Sequence, residues 1–315
     1  MSEAKARNMS NPRTVYGETL LELAGQNPNI VALDADLCKS TMTVLIQNRF
    51  PDRFFEMGIA EANMAATAAG LALGGKIPFI HSFAVFAAGR AYDQIRQSIC
   101  IAGVNVKIVG SSAGLSDFGD GSTHQSIEDL ALMTALPNMT VISPCDAIEV
   151  RKALPVIASY HGPVYLRLGR NDMPDLLEEC ASFEIGPIRK LREGSEVALF
   201  ATGVMVAKAL EASDQLEQEG ISAKVVSVST LKPLDTEGIQ RECEGIRGVV
   251  TAEEHTVMGG LGCAVASALR RQKIPLEFVG ILDQFGISGT SQEELLEHYG
   301  LTASAIVAAA KGLAK

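Results

Sequence analysis

Short runs of β-branched and aliphatic residues alternate with helix-length segments along almost the whole chain, and no other feature restricts its fold so strongly. In the first half "NIVALDAD", "KIPFIHSF", "VNVKIVG", "NMTVISP" and "GPVYLRLG" read as strands. Their alternation with helices argues for a parallel sheet covered by helical layers. The rhythm breaks after Gly169. Residues 171–194, "NDMPDLLEECASFEIGPIRKLREG", mix prolines, glycines and charges without a period, and read as an interdomain connection. The alternation then resumes with "EVALFATG", "SAKVVSVS", "RGVVTAEE" and "LEFVGI", separated by helical segments such as "VAKALEASDQLEQEG" and "LGCAVASALRRQ". The expected fold class is α/β, with two domains, 1–175 and 190–315, each a mostly parallel sheet flanked by helices. A length of 315 residues suits two such units.

Composition removes several functions from consideration. The net charge is −10, and basic residues gather no further than the pairs Arg189-Lys190 and Arg270-Arg271, so nucleic-acid binding is not expected. The first fourteen residues, "MSEAKARNMSNPRT", lack the apolar core of a signal peptide. No stretch approaches the roughly 18 consecutive apolar residues of a membrane span. The expectation is a cytoplasmic protein without membrane contact. Cysteines at 38, 100, 145, 180, 243 and 263 form no CxxC pair and read as reduced thiols.

In sheets of this kind ligands gather at the carboxyl ends of the strands, which directs attention to loops 34–40, 82–90 and 110–126. Beside them lies "MGIAEANMAATAAGLALGG", residues 57–75, in which Glu61, Asn63 and Thr67 are the only polar side chains from Ala60 to Leu73. A carboxylate there is either a cap facing water or placed for chemistry. "DGSTHQSIED" sets Asp120, Thr123, His124 and Gln125 ahead of a helix capped by Ser126, and His124 is the best general acid or base among the histidines. Phe83 and Phe86 stand three residues apart in "HSFAVFAAGRAYDQIRQ". Two other patterns are weaker. The GDG of "FGDGSTHQ" is followed by Asn138 too soon for a diphosphate and metal signature, so Asp120 reads as a turn residue and no metal is assigned to this chain. "VMGGLGCAVA" lacks the third glycine of a dinucleotide fingerprint, which leaves a nicotinamide enzyme as a minor alternative.

In order, "MGIAEANMAATAAGLA", "SFAVFAAGRAYDQIR", "GDGSTHQSIEDLALMTALPNMTVISPCDAIE" and "DQFGISGTSQEELLEHYGLTASAIV" resemble the carboxyl-terminal half of transketolase. The resemblance covers nearly the whole chain. It implies a pyrimidine-binding domain (1–175) followed by a transketolase carboxyl-terminal domain (190–315), and one subunit of a split enzyme that moves a two-carbon ketol unit between sugar phosphates. It also implies thiamin diphosphate, with its divalent metal (Mg or Ca) on an amino-terminal partner chain carrying the true GDG…N motif, in an α2β2 heterotetramer. By motif position Glu61 matches the glutamate bonded to a ring nitrogen of the cofactor's aminopyrimidine, Phe86 the ring that stacks on it, and Phe83 its pocket neighbour. Asp120 and His124 match residues at the sugar hydroxyls, with His124 assisting proton transfer. Arg13, Ser40 and Arg170 match the residues holding the phosphate end of the sugar, a task that suits the planar fork of arginine.

Three positions depart from the family pattern. Ser112 replaces a phosphate-contacting histidine, Gly89 a pocket tyrosine, and His81 stands where a small residue is expected. They leave the acceptor sugar open, with a branched or less common sugar phosphate among the candidates. The nearest rival reading is the beta subunit of a 2-oxo acid dehydrogenase, and the other is a non-catalytic half that regulates its partner.

Overall fold

The computed structural model describes residues 7–314. Residues 1–6 and 315, which belong to the expected domain spans and in part to the segment tested for a leader, lie outside the described residues. The first sheet has seven strands, in the spatial order Thr230–Lys232, Thr140–Ile142, Val164–Arg167, Lys107–Ser111, Ile77–Phe83, Ile30–Asp34 and Phe54–Glu56. Every pairing in it is parallel except that of Thr230–Lys232. The second sheet has five strands, Leu276–Ile281, Gly248–Thr256, Val197–Ala201, Ala223–Ser227 and Arg189–Arg192, of which only the last runs antiparallel.

Ile30–Asp34, Lys107–Ser111, Val164–Arg167, Val197–Ala201 and Ala223–Ser227 are buried at every position. That is why they read as continuous apolar runs rather than alternating ones: both faces of a parallel sheet lie under helices. Among the described residues no helix is long and apolar enough to cross a membrane, and all six cysteines are free thiols.

Two elements differ from the simple division into halves. Within the expected connection, "RKLR" forms the edge strand Arg189–Arg192, and Met173–Pro174 pairs with Met9–Ser10. A half-buried, charged edge carries none of the apolar pattern that marks a buried strand. Thr230–Lys232, from the second half of the chain, closes the edge of the first sheet. The two units therefore share a sheet border.

His81, the histidine in an unexpected place, is a satisfied core residue. Its Nδ1 lies 3.0 Å from Leu33 O and its Nε2 2.6 Å from the Tyr16 hydroxyl. A carbonyl only accepts, so Nδ1 carries the proton and Nε2 accepts from Tyr16. Full burial holds the imidazole neutral and lowers its pKa to about 4. Below about pH 6.5 the unfolded histidine takes up a proton that the folded one resists, so this group's stabilisation is lost as pH falls from about 6.5 to about 4. The loss is at most about 3 kcal/mol. Urea midpoints at the two ends of that window should differ less in His81→Asn than in the unmodified protein, and an equal difference would show that His81 does not contribute.

Candidate functional site

Helix Glu61–Leu73 starts directly at the carboxylate, with Ala60 at the N-cap offering no side-chain bond. Met64, Ala65, Ala68 and Ala69 are the other residues that it buries. The small volume of the three alanines brings the helix close to the strand Ile77–Phe83, and Glu61 is only 3% exposed. It is not a cap facing water. Ser82 Oγ donates to Glu61 Oε1 at 3.3 Å, and Arg90 Nη1 donates to the same oxygen at 3.1 Å.

Strand Ile77–Phe83 ends on Phe83, and the chain turns at once into a π-helical segment, Phe86–Arg90. The wide turn places Phe83 and Phe86 in a stack, ring centroids 6.1 Å apart and planes 21° from parallel. His124 meets both rings edge-on, at 5.2 Å from Phe86 and 6.2 Å from Phe83. Thr123 Oγ1 lies 2.9 Å from His124 Nδ1. On the outer face of Phe86 the Arg90 guanidinium sits 3.8 Å from the ring centroid while holding Glu61. A flat cation thus fills the space between one aromatic face and one buried carboxylate.

At the other end, Arg170 lies 6.0 Å from the Phe83 centroid and donates from Nη1 to Asp117 Oδ2 at 2.8 Å. Arg13 donates from Nε to Arg170 O at 3.0 Å and from Nη1 to Ser40 O at 2.9 Å. Burial and the neighbouring Arg170 lower the pKa of Arg13, and burial pushes the Asp117 carboxyl up against the opposing pull of Arg170. Contacts therefore link Glu61, Arg90, Phe86, His124, Phe83, Arg170, Arg13 and Ser40 into one continuous arc. Asp120 is exposed in the turn before Gly121–Thr123, near enough for its charge to act on Asp117.

The loop carrying Asp117, Asp120 and His124 is fixed by a buried network. Arg167 Nε donates to both oxygens of Asp129, at 3.0 and 3.2 Å, and its Nη2 donates to Glu254 O at 2.9 Å. Tyr165 donates its hydroxyl proton to Asp129 at 2.7 Å. Glu254, from the second sheet, accepts from Leu115 N at 3.1 Å and from Gln292 Nε2 at 2.7 Å. Gly114 has φ +64, and a Cβ there would lie 2.1 Å from Glu254 Oε2, so only glycine admits the carboxylate.

The expected cap Ser126 is corrected: the helix runs Asp129–Ala135 with Glu128 at its N-cap. Thr256 N donates to Ile127 O at 2.7 Å and Ser126 bridges to residues 113 and 114, which keeps the backbone extended past the serine. The glycines at 259–264 also find their explanation. Glu253 accepts from Leu261 N at 2.7 Å and Gly262 N at 2.8 Å, so its carboxylate fills the helix N-terminus where a dinucleotide pyrophosphate would rest. Burial pushes Glu253 up to about 7. Among the described residues no three His, Cys, Asp or Glu side chains gather as a metal site. Arg90, Ser82, Asp117 and Arg167 were not picked out from the sequence. Their partners lie far away in the chain; Ser82 and Arg90 fall within "SFAVFAAGRAYDQIR" and Asp117 directly before "FGDGSTHQ", but nothing local marks their pairing.

Residues 9–175 match the family model described as transketolase, pyrimidine binding domain, and residues 186–306 match transketolase, C-terminal domain. The chain belongs to the transketolase family. A putative transketolase C-terminal section from Methanocaldococcus jannaschii is 45% identical over 93% of this chain and 93% of that protein. A 6-deoxy-6-sulfo-D-fructose transketolase subunit from a Clostridium species is 45% identical over 95% of this chain and 92% of its own length. Among solved structures, one named split gene transketolase, inactive beta4 tetramer, superposes with a TM-score of 0.88 and 49% identity, covering 98% and 99% of the two chains. The transketolase of Campylobacter jejuni superposes with a TM-score of 0.82 at 25% identity, and this chain covers 46% of it.

Transketolases use thiamin diphosphate, and the groups gathered at Glu61 and Phe86 are of the kind an aminopyrimidine ring needs. The place that Arg90 takes, 3.8 Å from the Phe86 centroid and bonded to a buried carboxylate, offers an aromatic face and a hydrogen-bonding group to a protonatable ring.

Proposed function

We propose that this transketolase-family chain is the pyrimidine-binding subunit of an enzyme that transfers two-carbon ketol units between sugars bearing a terminal anionic group. A separate chain carries the diphosphate and its divalent metal. The observation that carries the reading is Glu61, buried at a helix start beside the Phe86 face. The relatives named as a subunit and as a C-terminal section, matched over nearly their whole length, support the partnered arrangement, as does the solved relative named an inactive β4 tetramer. The reading includes an α2β2 assembly in the cytoplasm, and the free thiols suit a reducing compartment. Units 1–175 and 190–315 remain the functional division, supported by the spans of the two family models.

When bound, thiamin diphosphate supplies the electron sink for cleaving the bond beside a ketose carbonyl. Glu61 holds a proton against the pyrimidine ring nitrogen, and the small helix behind it keeps water away. Phe86 presents the stacking face and Phe83 backs it. For that ring to enter, Arg90 must leave both Glu61 and Phe86, and its side chain, 51% exposed, has solvent to turn into. His124, edge-on to both phenylalanines, moves a proton at a sugar hydroxyl near the reacting carbonyl, and Asp120 binds a hydroxyl beside it. Arg13, Ser40 and Arg170 take the terminal anion.

An assay of the partnered complex tests the reading. Glycolaldehyde units should pass between sugars, whereas carbon dioxide release from pyruvate without such transfer would favour the 2-oxo acid dehydrogenase subunit. No turnover of any kind would favour the regulatory half.

A further inference from the structure

We infer that the anion end of this site takes a sugar whose terminal group bears one negative charge, a sulfonate, and that Asp117 sets this choice by acting through Arg170. The inference rests on the ketol-transfer reading above and adds to it the charge of the substrate.

Two guanidinium groups meet at that end, and neither is free. Arg13 has two N–H groups committed to the carbonyls of Arg170 and Ser40. Arg170 is paired with Asp117 at 2.8 Å, with the carboxylate side chain 5% exposed and the guanidinium 36% exposed. Asp172 also acts on Arg13, while Asp120 and His124 face Asp117. Of the two positive charges, one is therefore matched before any substrate arrives.

A terminal phosphate, whose second pKa is about 6, is mainly a dianion at neutral pH. Placed against two arginines and one aspartate it leaves an uncompensated negative charge in a half-buried site, next to the Asp117 carboxylate. A sulfonate brings one negative charge fewer to the same surroundings. Both groups present three tetrahedrally arranged oxygens to the remaining N–H donors, so shape does not separate them and charge does. Discrimination by a repulsive element built against the wrong ligand is a general route to specificity. Truncating either guanidinium would weaken both substrates, whereas removing the Asp117 charge should help only the dianion.

The partnered enzyme, saturated with thiamin diphosphate and Mg, is given a ketose 6-phosphate or its 6-deoxy-6-sulfo counterpart with the same acceptor aldehyde. The sulfo-sugar should show a kcat/KM at least about tenfold higher, the gap lying in KM. Asp117→Asn keeps a hydrogen-bonding group beside Arg170 without the charge. It should move the ratio at least about tenfold toward phosphate, again through KM, the size expected when one nearby charge is removed. A purely structural role for Asp117 would change both sugars alike and leave the ratio where it was. Preference for phosphate in the unmodified enzyme, or an unchanged ratio in Asp117→Asn, would overturn the inference while leaving ketol transfer intact. Absence of transfer from either sugar, or from any other ketose, would overturn the ketol-transfer reading and this inference with it.

Discussion

Glu61→Gln in the partnered enzyme is expected to lower the rate of ketol transfer by about 10²–10³-fold, within the range that a positioned proton-transfer group contributes. Glutamine has the shape of glutamate and still accepts a bond from Ser82, so packing at the start of Glu61–Leu73 is preserved. It cannot hold and return a proton. The lost pairing with Arg90 matters little, because that guanidinium is half exposed. Thiamin diphosphate affinity, measured by calorimetry, should change far less than the rate, since Phe86 and the partner chain still hold the cofactor. A rate within about twofold of the unmodified enzyme would remove Glu61 from the proton-handling role.

Arg167→Met should be the most damaging single change to the fold. It leaves the buried Asp129 carboxylate without its cation and Glu254 without the donor that reaches its backbone oxygen. Breaking one side of a buried, hydrogen-bonded ion pair costs about 3–5 kcal/mol. For a chain of this size that corresponds to a fall in Tm on the order of 10 °C. The effect should reach the site as well. Glu254 holds Leu115 N, and so fixes the loop that carries Asp117, Asp120 and His124. Thermal unfolding followed by circular dichroism checks the first part; a Tm within about 2 °C of the unmodified protein would show that the network is not a structural clamp.

Much of the fold is visible in the order of residues because its strands are buried on both faces. "NIVALDAD" and "EVALFATG" announce Ile30–Asp34 and Val197–Ala201 by composition alone. Where an element is a charged, half-buried edge, that signal vanishes, and Arg189–Arg192 passed for linker. Thr230–Lys232 joins the sheet of the other unit, a choice made by tertiary contact that local pattern does not carry. Ser126 has the chemistry of a cap, yet pairing of its backbone with residues 113 and 114 overrides it.

The site divides in the same way. Glu61, Phe86 and His124 stood out through motif resemblance, and the structure brings them within one cluster. The charges that modify them come from afar: Arg90 lies 29 residues from Glu61, and Asp117 53 residues from Arg170. Sequence spacing shows which groups are present, but not which of them neutralise one another.

The central claim is that Glu61 has chemistry to perform only when a second chain completes the pocket. Mixing purified subunits tests it most directly, with ketol transfer measured for this chain alone, for a GDG…N partner alone, and for increasing ratios of the two at saturating thiamin diphosphate. Transfer should be absent from either chain alone and rise to a plateau at a one-to-one ratio. Full activity from this chain alone, or a one-to-one complex that binds thiamin diphosphate and transfers nothing, would contradict the account.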